Sequence, residues 1–424
     1  MEAALPQPSR VSPHQASSAP GFWRLNLGLT KRFWTFFAVA FFFDAGFAVY
    51  FFLFNLFLLD IHATERTIGL INGAFTLGST LTILPAGALG RRWGIKPLLL
   101  VCMAGAPVLG ALRVLYLQPA AQIILGFFAG AAMSLWAVAY LPAVARLTTE
   151  KNRASAYSLI FSASILTSAI GGAITGYLPR WLNQKDSAAA MFSLHRSILL
   201  SACAIAALAI WPSSQLIFGA GADVDKNAVS PLAGFRPTPF LGRFLPSMAL
   251  WTAAMGAFLP FANVYLAREH RMPLDHVALI FSASQCLQLF LGLLTPAILR
   301  IFGLLPGILA IQLAAATCMA ALALSRFDLL TVGMYLLFSA LQWMAAPALY
   351  NLLMSNTADA QRSHAAAMAM FLNTLLTSVT VTAAGAAFTH FGYRNPLLLL
   401  ALSGTIAAAT TFIVVRPHVR LELQ

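Results

Sequence analysis

Arg91-Arg92-Trp93-Gly94-Ile95-Lys96-Pro97 is written again 209 residues later, as Arg300-Ile301-Phe302-Gly303-Leu304-Leu305-Pro306. The same offset carries Leu70-Ile71 to Leu279-Ile280, and Glu150-x-x-Arg153 to Asp359-x-x-Arg362. No gap is needed between these points. The chain therefore reads as two related halves, and a duplicated unit is a common build of chains that cross membranes many times.

Composition requires the membrane. Of 424 residues, 59% are hydrophobic and 9% charged, whereas a soluble domain is about 25% charged. Leu98–Leu112 and Leu329–Asn356 contain no Asp, Glu, Lys, Arg or His. A hydrocarbon core of about 30 Å needs about 20 apolar residues of helix. Twelve spans follow, at 33–59, 67–89, 97–117, 120–146, 153–178, 194–212, 243–267, 275–301, 305–325, 328–353, 364–389 and 395–415. The expected organisation is an all-α membrane protein of two pseudo-symmetric six-helix bundles, 31–212 and 243–416. Residues 1–30, with Pro6, Pro8, Pro13 and Pro20 among Ser, Ala and Gln, read as a disordered tail. No apolar run follows the start, so a cleavable signal peptide is not expected. Residues 213–242, rich in Gly, Pro and Asp, read as a linker, and 417–424 as a second tail.

The net charge of +13 is not a nucleic-acid signal, because the cations sit at span ends and favour one side. With the N-terminus inside, seventeen of the 26 lysines and arginines fall on the inner side and eight on the outer, with Arg113 left within a span. Both termini are then expected in the cytoplasm. Cys102, Cys203, Cys286 and Cys318 lie in apolar segments without paired or metal-ligand spacing, and read as small packing residues.

The loop after the second span, Gly87-Ala-Leu-Gly-Arg91-Arg92-Trp-Gly94-Ile-Lys96, resembles the signature of the major facilitator superfamily. In that pattern a glycine and three residues lead to Asp-Arg, then one residue, Gly and further basic residues. Gly87, Arg92, Gly94 and Lys96 match, and Arg300 and Gly303 echo the pattern in the second half. The pairs Glu150/Arg153 and Asp359/Arg362 resemble the family's acidic-basic loops after the fourth and tenth spans. The resemblance covers essentially the whole chain. It implies secondary active transport of a small solute by alternating access, monomeric function, and a cytoplasmic gate built from Gly87, Arg92, Gly94, Lys96, Glu150, Arg153, Asp359 and Arg362. The plain alternative for these cations is topology alone. Three departures stand out: Arg91 replaces the motif's acid, Gly126 replaces the arginine of the exporter pattern Arg-x-x-x-Gly, and Thr167-Ser168-Ala-Ile-Gly171-Gly172 keeps only part of the antiporter pattern Gly-Pro-x-x-Gly-Gly. They weigh against the drug-exporter subclass.

Asp44 is the sharpest single residue. It lies about 16 Å into the first span by helical rise, where an ionised carboxylate must be paired, hydrated or protonated. It reads as a proton carrier or as the counter-charge of a cationic substrate group, against the plainer reading of a structural acid. Arg113, near the end of the third span, reads as a snorkelling cation. Trp136, Tyr140, Asn263, Gln285 and Gln342 are the cavity candidates, because buried amides and amphipathic rings face protein or water, not lipid. Stripes such as Asn72/Thr76/Ser79 and Asn373/Thr377/Thr380 read as helix glue, and Phe41-Phe42-Phe43 as lipid-facing bulk.

No Gly-rich phosphate loop with lysine is present, and no His/Cys/carboxylate cluster has metal-ligand spacing. Neither an enzyme nor a cofactor is expected. Aromatic and amide lining without dense charge favours export of an amphipathic compound; a polyanion would need cavity arginines, and Arg113 is the only intramembrane one. The rivals are a nutrient importer of the same fold and a lipid-moving protein without ion coupling. An inner (plasma) membrane setting is expected.

Overall fold

A computed structural model describes residues 29–181, 188–218, 238–358 and 361–415. The predicted tails and most of the linker lie outside them, as does Asp359. Among the described residues every regular element is helical: α1 Lys31–Asp60, α2 Glu65–Trp93, α3 Ile95–Leu115, α4 Pro119–Leu147, α5 Glu150–Trp181, α6 Ala188–Ala207, α7 Ile210–Gln215, α8 Pro239–Gly256, α9 Ala262–Arg268, α10 Leu274–Phe302, α11 Leu304–Leu324, α12 Asp328–Ser355, α13 Arg362–Phe391 and α14 Arg394–Val415. They supply twelve spans long and apolar enough to cross a bilayer. An even number of crossings puts both ends of the chain on one side, here called the terminal side; the other is the distal side.

Local chemistry sets the helix ends. Thr30, Thr64 and Thr238 each accept a hydrogen bond from the backbone N–H three residues on, capping α1, α2 and α8. The repeated glycines stop α2 and α10 in matching conformations. Gly94 has φ +86° and ψ 174°, and Gly303 has φ +82° and ψ 160°. That region is open essentially to glycine alone, so the duplication visible in the sequence is also a duplication of backbone shape.

Two spans are broken. The seventh consists of α8, a 3₁₀ turn at Leu259–Phe261, and α9. Pro260 has no N–H to continue the ladder. The sixth consists of α6 and α7 and starts at Ala188, not at 194. Its polar His195 is accommodated because Nδ1 lies 2.5 Å from Asp60 Oδ2 at the end of α1, which ties the first and sixth spans together on the distal side.

The three phenylalanines of α1 divide between environments. Phe41 is exposed, whereas Phe43 is buried against Trp136. Cys102, Cys203 and Cys318 are buried but Cys286 is exposed. Arg113 does not snorkel. It is 3% exposed and turned into the first six spans, its guanidinium 4.1 Å from the centre of the Phe54 ring. A Cβ on Gly126 would lie 3.9 Å from its Nη2. The third span therefore delivers a guanidinium beside the very position where the fourth lacks one.

Candidate functional site

Asp44 lies 13 residues into α1, about 20 Å from its terminal-side end. Ser164 on α5 and Tyr140 on α4 both lie within electrostatic reach of its carboxylate. Tyr140 continues an aromatic wall. Trp136 is 5.5 Å from Tyr140 and 5.3 Å from Phe43, and Tyr140 is 6.3 Å from Tyr157, centre to centre. Trp136, Tyr140 and Tyr157 are each partly accessible. Three helices thus assemble one carboxylate, one hydroxyl and an aromatic wall in the middle of the first half.

The second half offers amides at the same depth. Gln342 lies 13 residues before the end of α12 and Asn373 11 residues into α13, about 20 Å and 17 Å from their terminal-side ends. Gln342 Oε1 and Asn373 Oδ1 are buried without a hydrogen-bond partner among the described residues. Tyr350 lies within electrostatic reach of the Asn373 side chain. Gln285 is partly accessible on α10, as is Gln288. Asn263 sits elsewhere: it is 3% exposed on α9, with its amide committed at the boundary between the halves.

At that boundary the two repeats clasp each other reciprocally. Asn55 Nδ2 donates to the Pro260 carbonyl at 2.6 Å, and Asn263 Nδ2 donates to the Phe52 carbonyl at 2.8 Å. Asn55 and Asn263 are 208 residues apart, as are Phe52 and Pro260, so each amide reaches the carbonyl three positions before its counterpart. Both sets of contacts are side chain to backbone, and a carbonyl has a second lone pair available. Asn72 Nδ2 holds Asn55 Oδ1 at 3.0 Å. Farther along, Ser378 donates to the Gly73 carbonyl and Ser282 to the Ala169 carbonyl, each at 2.7 Å. These seams join α1 to α9, α2 to α13 and α5 to α10.

An ion pair closes the distal rim. Arg268 Nη1 on α9 lies 2.6 Å from Glu65 Oε1 at the start of α2, and the Tyr393 hydroxyl donates to the same carboxylate oxygen at 3.5 Å. Burial, then the nearby Glu65 charge, pushes the Tyr393 phenol up, so it stays protonated as a donor from about pH 5 to 9. Sequence reasoning missed this trio. Glu65 and Arg268 are 203 residues apart and resemble ordinary loop charges. Because the arginine side chain is 44% exposed, the pair is screened and contributes on the order of 1 kcal/mol to the closed rim. Glu65→Arg, and separately Arg268→Glu, should each widen the distance between spin labels at positions 64 and 390. The double exchange should restore the native distance. Unchanged distances in both single variants would remove the pair from the gate.

The terminal-side motif residues are placed less tightly. Lys96 Nζ donates to the Ser214 carbonyl at 2.8 Å, which ties α3 to α7 within the first half. Arg362 Nε donates to the Met354 and Thr357 carbonyls at 3.1 and 3.2 Å. Gly87 has open space where a Cβ would stand. Gly94 supplies the turn described above, and Arg92 is exposed beside it. Arg153 is partly buried, with Nε unpartnered among the described residues. The side chain of Glu150, like Asp359, lies outside the described residues. The named contacts joining the halves all lie between mid-membrane and the distal end.

The family model for the Major Facilitator Superfamily matches residues 36–381. Solved structures share the fold at low identity. The nucleoside transporter NupG superposes with a TM-score of 0.74 at 14% identity, covering 91% of this chain and 99% of that one. A bacterial homologue of the lysosomal transporter Spinster, in an inward-facing, unoccupied conformation, gives 0.71 at 14%, covering 91% and 98%. A D-xylose-proton symporter gives 0.70 at 14%, covering 90% and 97%. No curated protein matches in sequence.

Proposed function

The chain belongs to the major facilitator superfamily, and we propose that it is a secondary active transporter of a small solute, working by alternating access and coupled to protons through Asp44. The observation that carries the reading is the pairing of a mid-membrane carboxylate with a seam closed on one side of it. Asp44, Gln342 and Asn373 share a depth of about 17–20 Å from the terminal side, while the asparagine clasp and the Glu65–Arg268 pair lie distal to them. That arrangement suits a state in which the site communicates with the terminal side. Opening the distal seam and closing the terminal ends would expose it to the other side.

On this reading both termini are cytoplasmic, the membrane is the plasma (inner) membrane, and the protein works as a monomer without cofactor. Arg92, Lys96, Glu150, Arg153, Asp359 and Arg362 then form the opposing gate once the terminal ends approach. Export of an amphipathic compound fits the aromatic wall better than import of a polyanion. Reconstitution of the full chain in liposomes, with nucleosides, pentoses and amphipathic amines as solutes, tests the assignment. A transmembrane pH gradient should drive accumulation of at least one solute against its own gradient. Movement of none of them, or movement indifferent to the pH gradient, would reject proton-coupled transport; lipid scrambling in its place would favour the lipid-moving alternative.

A further inference from the structure

The mid-membrane site has charge of one sign only. Among the 13 acidic residues Asp44 alone falls in the middle of a span. The helices packed on α1 are α4, α5, α6, α7 and α9. Their lysines and arginines lie near the ends: Arg146, Lys151 and Arg153 on the terminal side, Arg180, Arg196 and Arg268 on the distal side. Arg113, on α3, is committed beside Phe54, about 15 Å of helical rise beyond Asp44. The groups that do face the carboxylate are neutral: Ser164 from α5 and Tyr140 from α4. Cys203 on α6 lies by Gly110 and Arg113, away from it.

A lone carboxylate at this depth needs a cation or a proton. Among the described residues none provides the cation. The wall beside Asp44 is built from Trp136, Tyr140 and Tyr157, and aromatic faces attract organic cations by about 0.5–2 kcal/mol. In the second half, at matching depth, Gln342 and Asn373 have buried amide oxygens with unused hydrogen-bonding capacity among the described residues. A buried polar group left unpaired is costly, so these amides favour a ligand that carries its own polar groups away from the charge.

We propose that this site takes an amphipathic organic monocation: a protonated amine on an apolar or aromatic body, with its charge on Asp44, its body along Trp136, Tyr140 and Tyr157, and a polar end at Gln342 and Asn373. Anionic substrates find no counter-charge there. A neutral polyol can meet the amides and stack on the rings, but it leaves the carboxylate without a counter-ion. Amine and proton then compete for one carboxylate, which turns binding of one into release of the other. The proposal rests on the transport reading given above, and the experiment separates the two.

The probe set is a dansylated five-carbon primary amine, its N-acetylated neutral form, and the matching carboxylate, titrated into the full chain in nanodiscs with empty nanodiscs as the partition control. The amine should bind native protein at least 10-fold more tightly than the neutral form, and the carboxylate should not bind above the control. Asp44→Asn should reduce that preference to less than 3-fold, whereas Asp44→Glu should retain it. Gln342→Leu should weaken the amine without removing the charge preference. Equal binding of amine and neutral probe to native protein, or a charge preference that survives in Asp44→Asn, overturns the assignment. Proton-driven uptake of a pentose or nucleoside that the amine does not inhibit would also overturn it, while leaving alternating access standing.

Discussion

Asp44→Asn should cut proton-driven accumulation by about 100-fold or more while leaving the protein folded. The amide fits the volume of the carboxyl and keeps Ser164 as a polar neighbour, so local packing survives. It can neither carry a proton nor balance a cation, so the coupled step disappears. The change also removes an ionisable group from the membrane interior, and thermal stability should hold or rise. Two measurements separate loss of coupling from loss of fold. Solute exchange without a pH gradient should persist to the extent that the solute does not need the charge, and the unfolding midpoint should stay at or above the native value. Full pH-driven accumulation by Asp44→Asn would make the residue a structural acid and withdraw the coupling role.

Gly69→Leu should hold the distal seam apart and reduce transport by about 10-fold or more. A Cβ on Gly69 would stand 2.9 Å from Gly385 Cα and 3.0 Å from the Val381 carbonyl oxygen, and one on Gly385 would stand 2.5 Å from the Glu65 carbonyl oxygen. These neighbours are backbone atoms and cannot rotate away. The neighbours of Gly69 all belong to α13 of the other half, so the added side chain should spare the folding of its own half. Labels at positions 64 and 390 should report a longer distance in Gly69→Leu, and a thiol reagent applied from the distal side should reach a cysteine placed at Asn373. Distances and accessibility equal to the native protein would show that the helices find another way to close.

Several parts of the architecture were legible from residue order. The repeat of Arg-x-aromatic-Gly-x-x-Pro predicted two halves, and Gly94 and Gly303 adopt the same glycine-only conformation. The twelve apolar runs became twelve spans, because a helix in hydrocarbon must satisfy its own backbone. The start of the sixth span was less legible. His195 and Arg196 look like a boundary by composition, yet His195 is paired with Asp60, and pairing is a property of two segments. Arg113 misled for the same reason: arginines near span ends commonly reach the interface, but here Phe54 and the space beside Gly126 receive the guanidinium. Glu65 and Arg268 drew no attention as loop charges, and Asn263 drew attention as a cavity amide while its donor is committed to Phe52.

The amino-acid order by itself determined how many times the chain crosses, that its halves are copies, and that one acid, Asp44, sits at mid-depth. Each follows from properties a single helix possesses: length, hydropathy, and a rise of about 1.5 Å per residue. Only tertiary structure decided which polar groups are used for holding the halves together and which are left for a ligand. An amide at a given depth is the same amide in sequence whether it meets a carbonyl of the other repeat, as Asn55 and Asn263 do, or keeps an oxygen without a partner among the described residues, as Gln342 does. That choice depends on how two helices rotate and approach each other, and the close contact of Gly69 with Gly385 sets it across 316 residues of chain.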